Sequence, residues 1–174
     1  MPPGWSYNPS GWGERLPIII AAVVAAAIAF YLAAYQLRIV EGAWDPFFGD
    51  GTERILDSPV SKLFPIPDAL LGAIGFLVDA VAGAIGPRDR WRTMPWIVIA
   101  FGIFIGPLGA VSIVLVIIQP ILYDTFCTLC LATALLSVLM IGPAMDEVLA
   151  SLQHLRREVR HGRSPWRALL GSAR

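Results

Sequence analysis

Cys127 and Cys130 are the only cysteines in the chain and stand as C-x-x-C within DTFCTLCLATALL, residues 124–136. A pair at this spacing has three chemical uses. A structural zinc site needs four ligands, and the remaining candidates, His154 and His161, fall in a C-terminal tail on the far side of the membrane read below, so no metal is expected. Haem attachment of the c type needs histidine directly after the second cysteine, and residue 131 is Leu. What remains is a dithiol/disulfide couple, which a helix N-terminus favours by stabilising a thiolate. Beside it stands the plainer reading of two small residues packed at a helix start, or an idle disulfide.

The elements that must position this pair are read from composition. Hydrophobic residues make up 56% of the 174, charged residues only 15%, and mean hydropathy is +0.67. Such values describe a chain whose surface faces lipid. Thirteen basic and thirteen acidic residues cancel, so no global charge calls for nucleic acid.

Residues 1–16 are rich in Pro, Gly, Trp and Tyr, and Trp5, Tyr7 and Trp12 read as interfacial anchors before a span. Residues 17–37 are apolar and uncharged, long enough to cross a bilayer core of about 30 Å. A polar, turn-rich loop over 38–64 follows, containing WDPFFGDG. Apolar character returns over 65–86, with two carboxylates. Asp68 suits the positive end of a helix start; Asp79, inside the span, is read as structural, with a proton or quinone role as the alternative. After the basic hinge PRDRWR, residues 87–92, a third uncharged span covers 94–118. Gly102, Gly106 and Gly109 permit close helix contact there, and Pro107 predicts a kink. QPILYDTF reads as a short turn-like connection, and 126–141 as a fourth span needing residues from its flanks.

Arg88, Arg90 and Arg92 lie between spans two and three. Arg156, Arg157, Arg160, Arg163 and Arg167 follow span four. The positive-inside rule places both groups, and both termini, in the cytoplasm, where the tail can meet anionic lipid. The cysteines then sit at the outer end of span four, in an oxidising compartment if the host is a bacterium.

The stretch TERILDSPVSKLFPIPDALLGAIGFLVDA, ahead of the C-x-x-C, resembles the vitamin K epoxide reductase family. Leu56, Ser58, Ile66, Pro67, Leu70, Leu71, Gly72 and Gly75 carry the resemblance, which covers roughly residues 17–145. It implies electron transfer between thiols and a membrane quinone, ubiquinone or menaquinone. By the same resemblance Cys130 faces the quinone, forming the adduct or charge-transfer pair, and Cys127 exchanges disulfides with a partner thiol. Ser58 matches the serine that closes the loop beside the quinone pocket. Many members also carry two loop cysteines as a shuttle; Trp44 and Thr52 stand at those positions here, so an external thioredoxin-fold protein would have to reach Cys127 directly. Trp44, Phe47 and Phe48 are then candidates for an aromatic lid over the pocket, with an interfacial aromatic belt as the simpler account.

The expectation is therefore an all-α, membrane-embedded four-helix bundle of the bacterial inner membrane. It has an interfacial segment (1–16), a membrane domain (17–145) with an outer loop between helices 1 and 2, and a cytoplasmic amphipathic basic tail (146–174). Its expected function is that of a quinone-linked thiol–disulfide oxidoreductase. The alternative is a non-catalytic scaffold or accessory subunit of a larger membrane complex.

Overall fold

The structure is a computed structural model that describes residues 1–61 and 65–171; residues 62–64 of the loop end and 172–174 of the tail lie outside the described residues. Among the described residues seven helices occur, in the order α1 (Trp12–Gln36), α2 (Gly51–Leu56), α3 (Asp68–Ala84), α4 (Arg90–Thr93), α5 (Pro95–Tyr123), α6 (Thr128–Arg160) and α7 (Pro165–Leu169). Among the described residues there is no strand.

Local chemistry explains the elements. Helix α1 is built on an alanine-rich run, the best helix former, and buries Ala22, Ala25, Ala26 and Ala29. These small side chains let α3 and α6 approach closely, and both pack along α1. Helix α5 begins with Pro95 at its first turn, where a missing N–H costs nothing. It ends at Asp124, whose φ of 51° leaves the right-handed helix. Ile18, Phe76, Phe101, Ile105 and Met140 join the alanines in one core shared by α1, α3, α5 and α6.

Helices α1, α5 and α6 are long and apolar enough to cross a membrane by length and composition. Helix α3, where the second span is expected, has 17 residues, about 25 Å at the α-helical rise. Its Leu71, Ile74, Leu77, Val78 and Val81 are exposed, as are Ile103, Phe104 and Val114 of α5, so apolar side chains cover the outside of the four long helices.

Several expected boundaries fall elsewhere. The connection expected over 119–126 is helical as far as Tyr123. Helix α6 continues through Pro143 to Arg160, so much of the amphipathic tail extends the helix that carries the cysteines. Helix α5 is unbroken through Pro107. Of its three glycines, a Cβ at Gly109 would come within 2.6 Å of Ile141 and one at Gly102 would strike Val148, while Gly106 faces open space. Two of the three thus sit where α6 crosses.

At the end that carries both termini, residues 1–11 fold back on α6. Trp5 Nε1 donates to Gln153 at 3.0 Å and Tyr7 Oη to Asp146 at 2.5 Å. The Asp146 bond, followed by burial, pushes the Tyr7 phenol up to about 12. The basic hinge is only partly a solvated patch: Arg90 is wholly buried, pairing with Glu147 through two 2.6 Å contacts. Its remaining nitrogen donates to the carbonyls of Ala82, Gly83 and Ile85, and Arg15 adds Gly83, Ile85 and Gly86. Two guanidinium groups therefore satisfy carbonyls of the last turn of α3, which have no intrahelical partners, and those of Ile85 and Gly86 just after it.

Candidate functional site

Helix α6 begins on the cysteine pair. Cys127 is extended (φ −98°, ψ 112°) and caps the helix, its sulfur accepting the Cys130 N–H at 3.0 Å. Extended backbone at the cap followed by helix brings the two side chains together, and they form a disulfide with Cα atoms 5.2 Å apart. The two sulfurs face different surroundings. Cys127 is fully buried, whereas Cys130 is half-buried and lines a cavity of about 330 Å³.

That volume is at the lower end of small-molecule sites, which are apolar with a few placed polar groups. The walls follow this pattern. Leu32 of α1, Leu56 of α2, Gly72 and Phe76 of α3, and Leu108 and Leu115 of α5 supply apolar surface. Ser58, Ser61, Asp68, Gln119, Tyr123 and Thr133 supply the polar atoms. Most of these already have partners. Asp68 accepts from Gln36 Nε2 at 2.6 Å and from Ser61 Oγ at 3.1 Å, and from its neighbouring amide at the start of α3. Ser58 Oγ accepts the Ser61 N–H at 3.4 Å, and among the described residues its own proton has no acceptor. The residues present therefore fit a flat, largely apolar ring with carbonyl oxygens. Asp79, one turn beyond Phe76, is not part of this wall; it is buried, and among the described residues neither oxygen is hydrogen-bonded.

The loop between α1 and α2 closes over the other sulfur. Asp45 Oδ2 accepts from Thr52 Oγ1 at 2.7 Å, from Thr52 N at 3.2 Å and from Thr128 N at 3.3 Å, while Oδ1 accepts from the Thr128 hydroxyl. Burial raises the Asp45 carboxyl, but the bonds from Thr128, Thr52, Phe48 and Phe47 outweigh it and hold the group well below the usual carboxylate range. Gly51 lies so close to the Phe126 carbonyl and Thr125 that a Cβ there would clash. Phe48 packs its ring on Phe126 at 5.4 Å. The Asp45 carboxylate thus fastens the loop to the residue after Cys127, while Gly51 and Phe48 pack against the residue before it.

The residues singled out by sequence are divided by the fold. Cys130 and Ser58 share the cavity. Trp44, Phe47 and Phe48 do not line it: Trp44 borders a separate groove with Tyr31 and Leu129, and Phe47 is 78% exposed. Asp45 Oδ1 accepts the N–H groups of Phe47 and Phe48, an Asx-type turn that fixes this backbone, and Phe48 packs on Phe126 instead. Thr52, at a shuttle position, is buried against Asp45. Of the cavity's polar residues, only Ser58 is a candidate ligand contact from the sequence; Ser61, Asp68, Gln119, Tyr123 and Thr133 join it in the fold. Asp68 reads from sequence as a helix start, and Gln119 as part of a turn, although a lone amide in VLVIIQPILY is a signal. Among the described residues no cluster of His, Cys, Asp or Glu could hold a metal ion.

A family model described as "Vitamin K epoxide reductase family" matches residues 16–144. No curated protein and no solved structure matches the chain.

Proposed function

Because the chain belongs to the vitamin K epoxide reductase family, a family of membrane thiol–quinone oxidoreductases, we propose that Cys127 and Cys130 are its redox pair, coupled to a membrane quinone in the cavity beside Cys130. The observation that carries this reading is the asymmetry of the disulfide: one sulfur opens on an apolar cavity and the other is sealed beneath the outer loop.

In the direction that oxidises thiols, the reduced pair gives up two electrons and two protons as its sulfur–sulfur bond forms. Quinone takes up both and leaves as quinol. A partner dithiol then restores the pair: its thiolate attacks Cys127, Cys130 departs as the leaving thiolate, and the partner's second thiol resolves the mixed disulfide. Cys130 is suited to leave because it sits in the first turn of α6, where the helix terminus favours negative charge. Leu56, Leu115 and their neighbours exclude water, and Ser58 offers its hydroxyl proton to a carbonyl oxygen.

In this reading α1, α3, α5 and α6 all cross the bilayer, α3 covering the core with little to spare. The Arg-rich end, with both termini, faces the cytoplasm of a bacterial cell and the cysteine end faces outward. A thioredoxin-fold protein is the external partner, and since Trp44 and Thr52 carry no thiol it acts on Cys127 directly, after the loop has opened.

Two substitutions test the assignment. Cys127→Ser leaves Cys130 as a lone thiol beside the cavity, and adding quinone should give a new visible absorbance. Cys130→Ser should give none while keeping the same melting temperature, since exchanging one small residue for another leaves no large cavity. Two folded variants, neither with a quinone-dependent absorbance, would leave a scaffold that retains the family fold.

A further inference from the structure

Gln119 is 4% exposed, yet it lies in the wall of the cavity that Cys130 lines. Leu108, Val111, Ser112, Leu115 and Gln119 of α5 all reach this wall, at the spacing that puts residues on one stripe of a helix. The side-chain oxygen Oε1 accepts the backbone N–H of Cys127 at 3.1 Å. A donor in that place would confront another donor, so this contact settles which branch of the amide is oxygen. The NH₂ branch is thereby turned away from Cys127, and among the described residues it donates to nothing.

We infer that Gln119 is the positioning donor for the carbonyl oxygen of a quinone bound beside Cys130, an inference that rests on the function proposed above. A quinone ring carries two carbonyl oxygens and no donor, and both oxygens gain charge as electrons arrive. A donor already fixed in place stabilises that charge without having to reorient. Gln119 is fixed by the amide of the cysteine bonded to Cys130, so the donor and the redox pair are held to one frame. Ser58 contributes a hydroxyl from a different part of the chain. The cavity therefore offers donors from both α5 and the segment after α2.

The full-length Cys127→Ser protein in detergent, titrated with short-chain ubiquinone and short-chain menaquinone, provides the test. Gln119→Glu keeps an oxygen for the residue 127 N–H but loses the donor, and Gln119→Met loses both. Removing one neutral hydrogen bond should raise the half-saturating quinone concentration about tenfold in both variants. A rise confined to the Met variant would show that only support of residue 127 matters, and one confined to the Glu variant would report its charge; either overturns the inference. Unchanged half-saturation in two folded variants overturns it as well, while leaving the assignment of Cys130 standing. If the Cys127→Ser parent shows no quinone-dependent absorbance, both fall together. A second readout needs no variant at position 119: the chain has three glutamines, Gln36, Gln119 and Gln153, and with ¹⁵N-glutamine labelling quinone should shift the Gln119 side-chain NH₂ resonance. An unmoved Gln119 resonance at saturating quinone would overturn the inference even if neither variant folds.

Discussion

Asp45 accepts both the backbone N–H and the hydroxyl of Thr128, the residue directly after Cys127, across 83 positions of sequence. The same carboxylate holds Thr52, so the loop between α1 and α2 is latched at the cysteine pair by hydrogen bonds from two threonines. Thr52 stands at one of the two positions where the family resemblance places a loop cysteine.

Loosening the latch should expose Cys127. Asp45→Asn weakens the charge-assisted bonds to Thr128 and Thr52, each worth about 1.5–3 kcal/mol, and places NH₂ hydrogens where acceptors are needed. The disulfide should then be reduced by a small external dithiol at least several-fold faster than in the unaltered protein. Thr128→Val should act in the same direction but less strongly. Equal reduction rates in all three proteins would show that the loop does not limit access.

The latch should also be sensitive to acid. The Asp45 carboxyl is held below its ordinary value, so folding favours its ionised form. Its contribution is complete above the unfolded value of about 4 and is lost as pH falls through the lower folded value. The melting temperature should therefore drop from pH 5 to pH 3 by more in the unaltered protein than in Asp45→Asn, which has no carboxylate to protonate. Parallel pH curves would rule out the contribution.

At the opposite end, Arg90 and Glu147 form an ion pair with side chains 0% and 1% exposed. Replacing Arg90 with Met strands a buried carboxylate and also removes the arginine donor to the Ala82 carbonyl, so a loss of about 3–5 kcal/mol is expected in unfolding measurements. Arg92→Met, whose Asp89 partner is on the surface, should cost about 1 kcal/mol or less. Similar losses at the two positions would mean that burial does not set the value of the Arg90 pair.

Topology can be read at Arg88, which is exposed, rather than at Arg90, which a label cannot reach. With the native pair held as a disulfide, Arg88→Cys should resist a membrane-impermeant maleimide in intact cells and react after permeabilisation. A cysteine at Phe47 should react in intact cells. Labelling of position 88 from outside would invert the orientation.

The residues by themselves determined that the chain is helical and apolar, that Cys127 and Cys130 stand at a helix start, and that the stretch around Ser58 to Gly75 resembles one family. These are properties of neighbours: a hydrophobic run, a three-residue spacing and a local motif need no distant contact to be read. Which cysteine is sealed was not legible, because the burial of Cys127 depends on Asp45 meeting Thr128 from a loop far away in sequence. The aromatic residues of that loop suggest a lid, but in the fold they do not line the cavity: Phe47 is exposed and Phe48 packs on Phe126. Arg90 counted as a cytoplasmic charge until packing gave it a buried partner in Glu147. Gln119 gained a role only when α5 extended past position 118 and brought its amide to the Cys127 N–H. In each case the tertiary structure decided, because side-chain pairing and burial are set by how helices and loops distant in sequence meet.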